Sequence, residues 1–369
     1  MIEKNAGSLE LTVDQMVRQL SKAYVTIIKS NLELKRFPSV MLWGPPGVGK
    51  SQGIRQVAKE IAEKTGKRVE ITDVRLLLFN PVDLRGIPTA NEDKTLAIWL
   101  KPKIFQMDDS DEVVNILFLD EISAAPQSVQ AAAYQITLDR TVGEHRLPEN
   151  CIVIAAGNRV TDRSVAYTMP KALANRLCHV EIVGDSKSWH DWAILSGVNS
   201  KVLGFLDYNP SMLMKFDPLS DGLSFPTPRS WEMVSNILNN VTGNVMEVYP
   251  LIVGCIGDEA AYELRAWSEV YSKIPKVETV FNGTAEGVPA RPEILFALTS
   301  EIIMYAQEHH TDEEVRNVVN YVSQLPSEFK NRIFTDLLRI KEIHKSLYRI
   351  RVYDDWFLRS GRDWEDYGL

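Results

Sequence analysis

The sequence predicts a three-layer α/β domain with a parallel five-stranded sheet, followed by a part of the chain that is helical only. Two observations predict this architecture. First, short and continuously apolar segments alternate with helical segments up to Gly184, which is typical of parallel strands buried on both faces. Second, such strands stop beyond Gly184 and helical periodicity takes over. Because parallel strands are joined by right-handed crossovers, the helices should cover both faces of the sheet.

Each strand of the predicted sheet is a short apolar run bounded by polar or glycine-rich residues. The five runs are Ser39–Trp43, Val69–Asp73, Asn115–Leu119, Cys151–Ala156 and His179–Val183. Apolar residues at helical spacing predict an amphipathic helix from Thr12 to Lys35, and a second helix is expected from Lys50 to about Lys64.

The remainder of the chain is predicted to be helical, in two parts. Helices are expected at Ser188–Ser196, Arg229–Asn240, Asp258–Tyr271, Glu293–Glu308, Thr311–Gln324 and Ser327–Tyr348. A loop is expected between Lys276 and Arg291, because glycine and proline are frequent there. We therefore expect an α/β domain at residues 1–184, a small helical domain at 185–275 and a helical extension at 276–369.

Composition places the chain among soluble globular proteins, since 45% of its 369 residues are hydrophobic and 24% are charged. The net charge of -8 argues against binding nucleic acid through the overall field. Cys151, Cys178 and Cys255 lack the spacing of a zinc site or a disulfide framework, which fits a reducing compartment. With no long apolar run and no signal-peptide pattern, we expect no membrane span and a cytoplasmic location.

A glycine-rich segment matches the phosphate-binding pattern G-x-x-x-x-G-K-[ST]. It reads Gly44-Pro45-Pro46-Gly47-Val48-Gly49-Lys50-Ser51. Its glycines allow backbone N–H groups to surround a phosphate, and the following helix adds its positive end. Lys50 is expected to bridge the β- and γ-phosphates of ATP, and Ser51 to ligate Mg²⁺. The strand, loop and helix that the pattern requires are all predicted, and Gln52 is included in the expected nucleotide contacts.

Two acids follow the apolar strand Asn115–Leu119. Carboxylates at the carboxyl end of a buried strand reach the crevice where α/β folds bind ligands. Asp120 is predicted to hold Mg²⁺, and Glu121 to orient and deprotonate the attacking water. Alone, an acidic turn after a core strand fits a structural role as well as a functional one, but together with the phosphate loop it predicts ATP hydrolysis.

Polar residues near later strands complete the predicted site. Asn158 follows the strand Cys151–Ala156 and can hydrogen-bond the γ-phosphate or the lytic water. Arg176, before the last strand, could reach the nucleotide of a neighbouring subunit, and Arg159 and Arg163 compete for this role. Arg229 follows Thr227 and Pro228, which suit the start of a helix, and could sense the γ-phosphate there.

Taken in order, these segments resemble the AAA+ ATPases, and among them the MoxR-like branch of the dynein-related ATPases. Residues 44–51 are similar to the Walker A motif and 116–123 to Walker B. Residues 155–158 resemble sensor 1, 172–176 the arginine-finger motif and 227–231 sensor 2. Residues 80–88 resemble a segment that leads into a hairpin inserted in the second helix, and residues 86–100, within an insert at about 80–100, are expected to form it, turning at Asn91–Lys94. The resemblance covers about residues 10 to 270.

The resemblance implies a helical lid at 185–275, a hexameric ring and ATP-driven remodelling or maturation of a client protein. Many relatives act with a partner that contains a von Willebrand factor A domain. Two alternatives remain open: a nucleic-acid-linked or GTP-using motor, and a nucleotide-gated scaffold with negligible turnover. Outside the resemblance, the aromatic segment Tyr353–Phe357 and Trp364 either docks on the chain's own body or forms a partner-binding patch.

Overall fold

The computed structural model describes residues 10–159, 169, 174–217 and 222–364 of the chain. It contains two compact units, Met1–Asp185 and Ser186–Leu369. Among the described residues, no helix has both the length and the apolar character needed to cross a membrane.

The first unit is built on one parallel sheet. Its six strands are β1 (Glu10–Thr12), β2 (Val40–Trp43), β3 (Arg68–Arg75), β6 (Val113–Asp120), β9 (Cys151–Gly157) and β10 (Cys178–Val183). Their order is β1-β10-β2-β9-β6-β3, and every neighbouring pair is parallel. The predicted α/β class is confirmed, but the predicted count of five strands is wrong. The additional strand, β1, has three residues and lies at the sheet edge, so it carries no apolar pattern.

The described residues of the first unit form three helices of 13 to 17 residues and one helix of five residues. They are α1 (Val13–Lys29), α2 (Lys50–Thr65), α3 (Pro81–Arg85) and α4 (Gln127–Asp139). Thr12 caps α1 in a capping box with Gln15. The predicted helix Thr12–Lys35 is too long, because Asn31 takes a left-handed conformation (φ 51°) two residues after α1 ends.

Two antiparallel hairpins lie outside the main sheet. One pairs β4 (Ile87–Ala90) with β5 (Ala97–Leu100), where the sequence predicts a hairpin with its turn at Asn91–Lys94. The Asn91 side chain accepts hydrogen bonds from the backbone N–H groups of Thr95 and Leu96. The other hairpin pairs β7 (Thr141–Val142) with β8 (His145–Arg146).

The central strands of the sheet set the position of the candidate site. Strand β6 is buried from Val113 to Leu119, and β9 is buried throughout. Trp43 at the end of β2 lies opposite Gly157 at the end of β9, and Leu119 of β6 lies opposite Ala155. Because these strands are parallel, the loops that follow them emerge at one edge of the sheet.

The regular secondary structure of the second unit is helical in its described residues. Its helices are α5 (Ser186–Leu195), α6 (Ser200–Tyr208), α7 (Pro228–Asn240), α8 (Tyr249–Tyr271), α9 (Val277–Phe281), α10 (Pro292–Ala306), α11 (Asp312–Val322), α12 (Ser327–Leu337), α13 (His344–Tyr348) and α14 (Arg351–Arg359). The predicted helix Ser327–Tyr348 is wrong, since it consists of α12, a 3₁₀ turn and α13. Three helices, α6, α9 and α14, were not predicted.

A kink at Gly257 divides α8. Gly257 has φ 79°, and a Cβ there would lie 2.8 Å from the carbonyl oxygen of Ser224. Only glycine fits both the backbone conformation and the close approach. The sequence predicts a helix only from Asp258, which is the residue after the kink.

One apolar cluster fills the second unit from Trp189 to Trp364. It includes Tyr353, Phe357 and Trp364, which are 0%, 0% and 5% exposed. The Tyr353 hydroxyl donates to the Phe334 carbonyl at 2.6 Å, and the rings of Phe357 and Trp364 stack at 3.9 Å. This part of the aromatic tail therefore packs on the chain's own core. The division of the helical part at residue 275 stays a prediction.

Candidate active site

The glycine-rich loop after β2 has a backbone that depends on its glycines. Gly44, Gly47 and Gly49 have φ angles of 155°, 79° and 108°. A Cβ on Gly44 would lie 2.6 Å from the carbonyl oxygen of Ile182 in β10, so a larger residue would collide with backbone. The loop is thus packed against the neighbouring strand at its first residue. The side chain of Val48 is buried beneath it, and Pro45 and Pro46 are half-buried.

Lys50 begins α2 and turns its side chain back over the loop. The residue is 7% exposed, and its Nζ donates to the carbonyl oxygens of Gly44 at 2.6 Å and Pro45 at 3.1 Å. Nζ also donates to Oδ1 of Asn158 at 3.1 Å. A buried ammonium group beside a helix N-terminus and a glycine-rich backbone suits an anionic phosphate chain.

Ser51 and Asp120 meet across the gap between α2 and β6. The Ser51 hydroxyl donates to Oδ2 of Asp120 at 3.0 Å, while Oδ1 of Asp120 accepts from the backbone N–H of Glu121 at 2.9 Å. A serine hydroxyl and a carboxylate are oxygen ligands of the kind that Mg²⁺ prefers. The donor set therefore fits the predicted magnesium site.

Glu121 has an uncommon backbone conformation. Its φ is 58°, in the left-handed region that few residues other than glycine, asparagine and aspartate adopt. The turn after it is attached to β9, because the N–H of Ile122 donates to the Ala156 carbonyl at 2.9 Å. Such strain is found at functional turns, where it fixes the direction of a side chain.

Ser123 is a residue of the site that the sequence did not single out. It is 4% exposed, and its hydroxyl accepts from the backbone N–H of Asn158 at 2.9 Å. A Cβ on Gly157 would lie 2.7 Å from this hydroxyl, so glycine permits the close contact. Ser123 thus joins the turn after β6 to the residue that contacts Lys50. Its position two residues after Glu121 was the available signal.

Asp73 of β3 adds a further acid near Asp120. Partial burial, followed by the charge of Asp120, raises the pKa of Asp73 above its ordinary value, while Arg75 and Arg55 oppose the shift. Asp73 and Asp120 therefore place two interacting carboxylates on this part of the sheet, with Arg75 and Arg55 close enough to offset their charge.

The predicted arginines lie in different places. Arg176 is exposed, two residues before β10, and Arg159 forms an ion pair with Glu181 of β10. Arg163 falls outside the described residues. Arg229 is exposed at the second position of α7, where Thr227 caps the helix and Pro228 begins it. Gln52 is exposed in the first turn of α2. Hydrogen bonds thus join Lys50 to Asn158 and Ser51 to Asp120.

Comparisons with known proteins agree with this geometry. Residues 39–179 match the family described as "ATPase family associated with various cellular activities (AAA)". A 145-residue stretch is 27% identical to the peroxisomal ATPase PEX1 of Homo sapiens, which corresponds to 37% of this chain and 10% of the human protein. The chain thus spans about a tenth of the length of that relative.

Solved structures to which the chain shows a distant similarity include NtrX from Brucella abortus and a mutant RuvB from Thermotoga maritima. NtrX is 13% identical with a TM-score of 0.37, and the match covers 90% of this chain and 69% of that chain. RuvB is 13% identical with a TM-score of 0.35, and the match covers 82% of this chain and 89% of that chain. The α/β fold of the first unit is defined by its strand order and by the phosphate loop after β2.

Proposed function

We propose that this chain, whose residues 39–179 match the AAA ATPase family, hydrolyses ATP with Mg²⁺ and uses the energy to remodel a partner protein. One observation carries the proposal. Lys50 contacts Asn158 and Ser51 contacts Asp120, so four residues from three separate segments converge at the carboxyl edge of the sheet. This convergence supports the assignment of all four residues to one site.

Binding of the phosphates is assigned to the loop Gly44–Gly49 and to Lys50. The contacts of the Lys50 ammonium with the Gly44 and Pro45 carbonyls hold it over the loop. From there it can balance the charge of the β- and γ-phosphates. The backbone N–H groups at the start of α2 also offset the negative charge of the phosphates.

Ser51 and Asp120 are assigned to Mg²⁺. When bound, Mg²⁺ supplies positive charge that offsets the negative charge of the phosphate oxygens during hydrolysis. The direct contact between Ser51 and Asp120 keeps both oxygens at one place. Asp120 is further fixed by its hydrogen bond from the Glu121 backbone.

Glu121 is assigned to the attacking water, as the group that orients it and accepts its proton. The left-handed backbone at Glu121 and the attachment of Ile122 to β9 restrain the turn that carries this side chain. Asn158 lies beside Lys50 and is suited to hydrogen-bond the γ-phosphate or the water. Ser123 holds Asn158 from the other side.

Arg176 is assigned to the nucleotide of a neighbouring subunit in a ring, and its exposure supports this role. Arg159 is the weaker candidate, because Glu181 of the same chain already engages it. An arginine supplied in trans raises phosphoryl-transfer rates by roughly 10³- to 10⁵-fold.

Arg229 is assigned to sensing the γ-phosphate from the helical unit. The hexameric ring and the MoxR-like maturation of a client, including a von Willebrand factor A domain partner, belong to this proposal.

Steady-state phosphate release from the full-length chain tests the proposed activity. We expect turnover of Mg·ATP by the parent protein and none by Lys50→Ala. Nucleotide binding without turnover by the parent would instead favour a nucleotide-gated scaffold. Strong stimulation by DNA or RNA would favour a nucleic-acid-linked motor, and faster turnover of GTP than of ATP would reject the assigned substrate.

A further inference from the structure

A hydrogen-bonded chain of three residues runs from the phosphate loop to the segment that carries Arg176. The indole Nε1 of Trp43 lies 2.8 Å from Nδ1 of His179. The other ring nitrogen of His179, Nε2, lies 2.7 Å from the carbonyl oxygen of Ala174. The Trp43 and His179 ring planes are nearly parallel, at 11°, with centroids 6.0 Å apart.

The chemistry of the two partners fixes the tautomer of His179. An indole N–H can only donate a hydrogen bond, and a backbone carbonyl can only accept one. Nδ1 of His179 must therefore accept from Trp43, and Nε2 must carry the proton and donate to Ala174. A neutral imidazole with this tautomer is one of few side chains that satisfies both partners at once.

The two ends of this chain are both close to predicted site residues. Trp43 is the last residue of β2 and directly precedes Gly44. Strand β10 pairs with β2 so that Glu181 lies opposite Trp43, and the Ile182 carbonyl is packed against Gly44. At the other end, Ala174 is two residues before the exposed Arg176. His179 thus links Trp43, which precedes the phosphate loop, to Ala174, which lies two residues before Arg176.

Burial does not explain these two hydrogen bonds. Trp43, His179 and Ala174 are half-buried, so water could serve their polar groups without a protein partner. A carbonyl held by a ring nitrogen restrains the local backbone, and here the restrained backbone leads directly to Arg176.

We propose that His179 and Trp43 are positioning residues that hold the Arg176 segment in a fixed relation to the phosphate loop, and so present Arg176 to the next subunit. The inference rests on the proposed function, in which Arg176 acts in trans. It assigns to His179 an effect on the neighbour's site rather than on its own.

The test compares variants of the full-length protein alone and mixed with Lys50→Ala. His179→Phe keeps an aromatic ring and removes both hydrogen bonds, and Trp43→Phe removes only the indole donor. His145→Phe is the matched control, because His145 also contacts a backbone carbonyl, that of Trp99 at 2.7 Å, but has no described link to the phosphate loop. Arg176→Ala is the reference for a defect in trans.

We expect His179→Phe to lower turnover at saturating ATP by at least roughly 10-fold. The loss should be smaller than the roughly 10³- to 10⁵-fold that removal of an in-trans arginine can cause. The affinity of His179→Phe for Mg·ATP should stay within about 2-fold of the parent, which corresponds to less than about 0.4 kcal/mol, because the substitution acts on the neighbour's site. Trp43→Phe should shift turnover in the same direction, and His145→Phe should not. Mixing His179→Phe with Lys50→Ala should raise the activity above that of either protein alone, because Lys50→Ala subunits supply a well-placed Arg176 to intact nucleotide sites.

Parent-like turnover in both His179→Phe and Trp43→Phe would overturn the inference. So would a loss of turnover in His179→Phe that mixing does not relieve, while mixing does relieve Arg176→Ala. In that case the proposed function stands and only the positioning role fails. If Arg176→Ala itself keeps the parent turnover, the assignment of Arg176 fails and the inference fails with it. Should His179→Phe not fold, as judged by its thermal unfolding, Trp43→Phe decides by the same mixing result.

Discussion

The Nζ atom of Lys50 lies 3.1 Å from Oδ1 of Asn158, although the two residues are 108 positions apart in the sequence. This contact brings the start of α2 to the end of β9, across the face where β2 and β6 also end. Asn158 is in turn held by Ser123, whose hydroxyl accepts from its backbone N–H. A change at the phosphate loop can therefore reach the turn that carries Glu121 through two hydrogen bonds.

Replacing Lys50 by alanine should abolish detectable ATP binding. The substitution removes a nearly buried ammonium group that contacts two loop carbonyls and Asn158. Titration with a fluorescent ATP analogue measures the effect, which we expect to exceed about 100-fold in Kd, or roughly 2.7 kcal/mol. Lys59→Ala, on the exposed side of α2, is the control and should bind as the parent does. Unchanged affinity in Lys50→Ala would reject the assignment of the loop.

Removal of Mg²⁺ should weaken ATP binding in the parent and stop turnover. Asp120→Asn should behave with Mg²⁺ much as the parent does after chelation by EDTA, because one of the two predicted ligand groups has lost its charge. The measurement is Kd for ATP with and without Mg²⁺ in both proteins. If Asp120→Asn responded to Mg²⁺ as strongly as the parent, Asp120 would not be a ligand.

Arg176→Ala should lower turnover by roughly 10³-fold or more without a comparable loss of nucleotide affinity, as expected of a group that acts on the neighbour's γ-phosphate. Arg159→Ala removes the ion pair with Glu181 and should have a smaller effect on turnover. Phosphate release at saturating Mg·ATP compares the two variants. A larger defect in Arg159→Ala than in Arg176→Ala would exchange the two assignments.

Stability of the helical unit should fall as pH rises through about 9. His190 of α5 is nearly buried between Asp207 of α6 and Asp336 of α12, at 2.9 and 3.0 Å. Burial lowers the pKa of His190, but hydrogen bonds to the two acids outweigh it and raise the pKa to about 9. Arg332 pairs with Asp207, and Arg339 pairs with Asp336 and Asp191.

Since this pKa lies above the value of about 6.5 in an unfolded chain, the charged form stabilises the fold. The contribution, of order 3 kcal/mol, is complete below about pH 6.5 and is lost between there and about pH 9. Denaturant unfolding at several pH values measures it, with His190→Gln as the control that lacks the titrating ring. Equal pH dependence in the two proteins would refute the charged state of His190.

Much of the first unit could be predicted from the sequence, because its strands are apolar runs that need no partner to be recognised. The residues of the phosphate loop, Asp120 and Asn158 follow those strands directly, so their approach to one another follows from a parallel sheet. β1 could not be predicted, since a three-residue edge strand leaves no pattern. Ser123 and His179 were missed because their roles depend on hydrogen bonds to residues distant in sequence.

The second unit was harder to predict for a different reason. Short helices such as α6 and α14 are stabilised by packing against the shared core rather than by a long amphipathic pattern. Tyr353 and Phe357 are fully buried, which their charged neighbours in the sequence concealed. The role of Arg229 depends on how nucleotide meets the helical unit, and this stays a prediction.

The most direct test of the account is single-turnover phosphate release by Glu121→Gln, measured beside its affinity for Mg·ATP. We expect an affinity within about 2-fold of the parent, because Glu121 has no assigned ground-state contact with the phosphates. Hydrolysis should fall by roughly 10²-fold or more, as expected when a positioned general base is removed. Parent-like hydrolysis by Glu121→Gln would show that the turn attached to β9 through Ile122 does not carry the catalytic base.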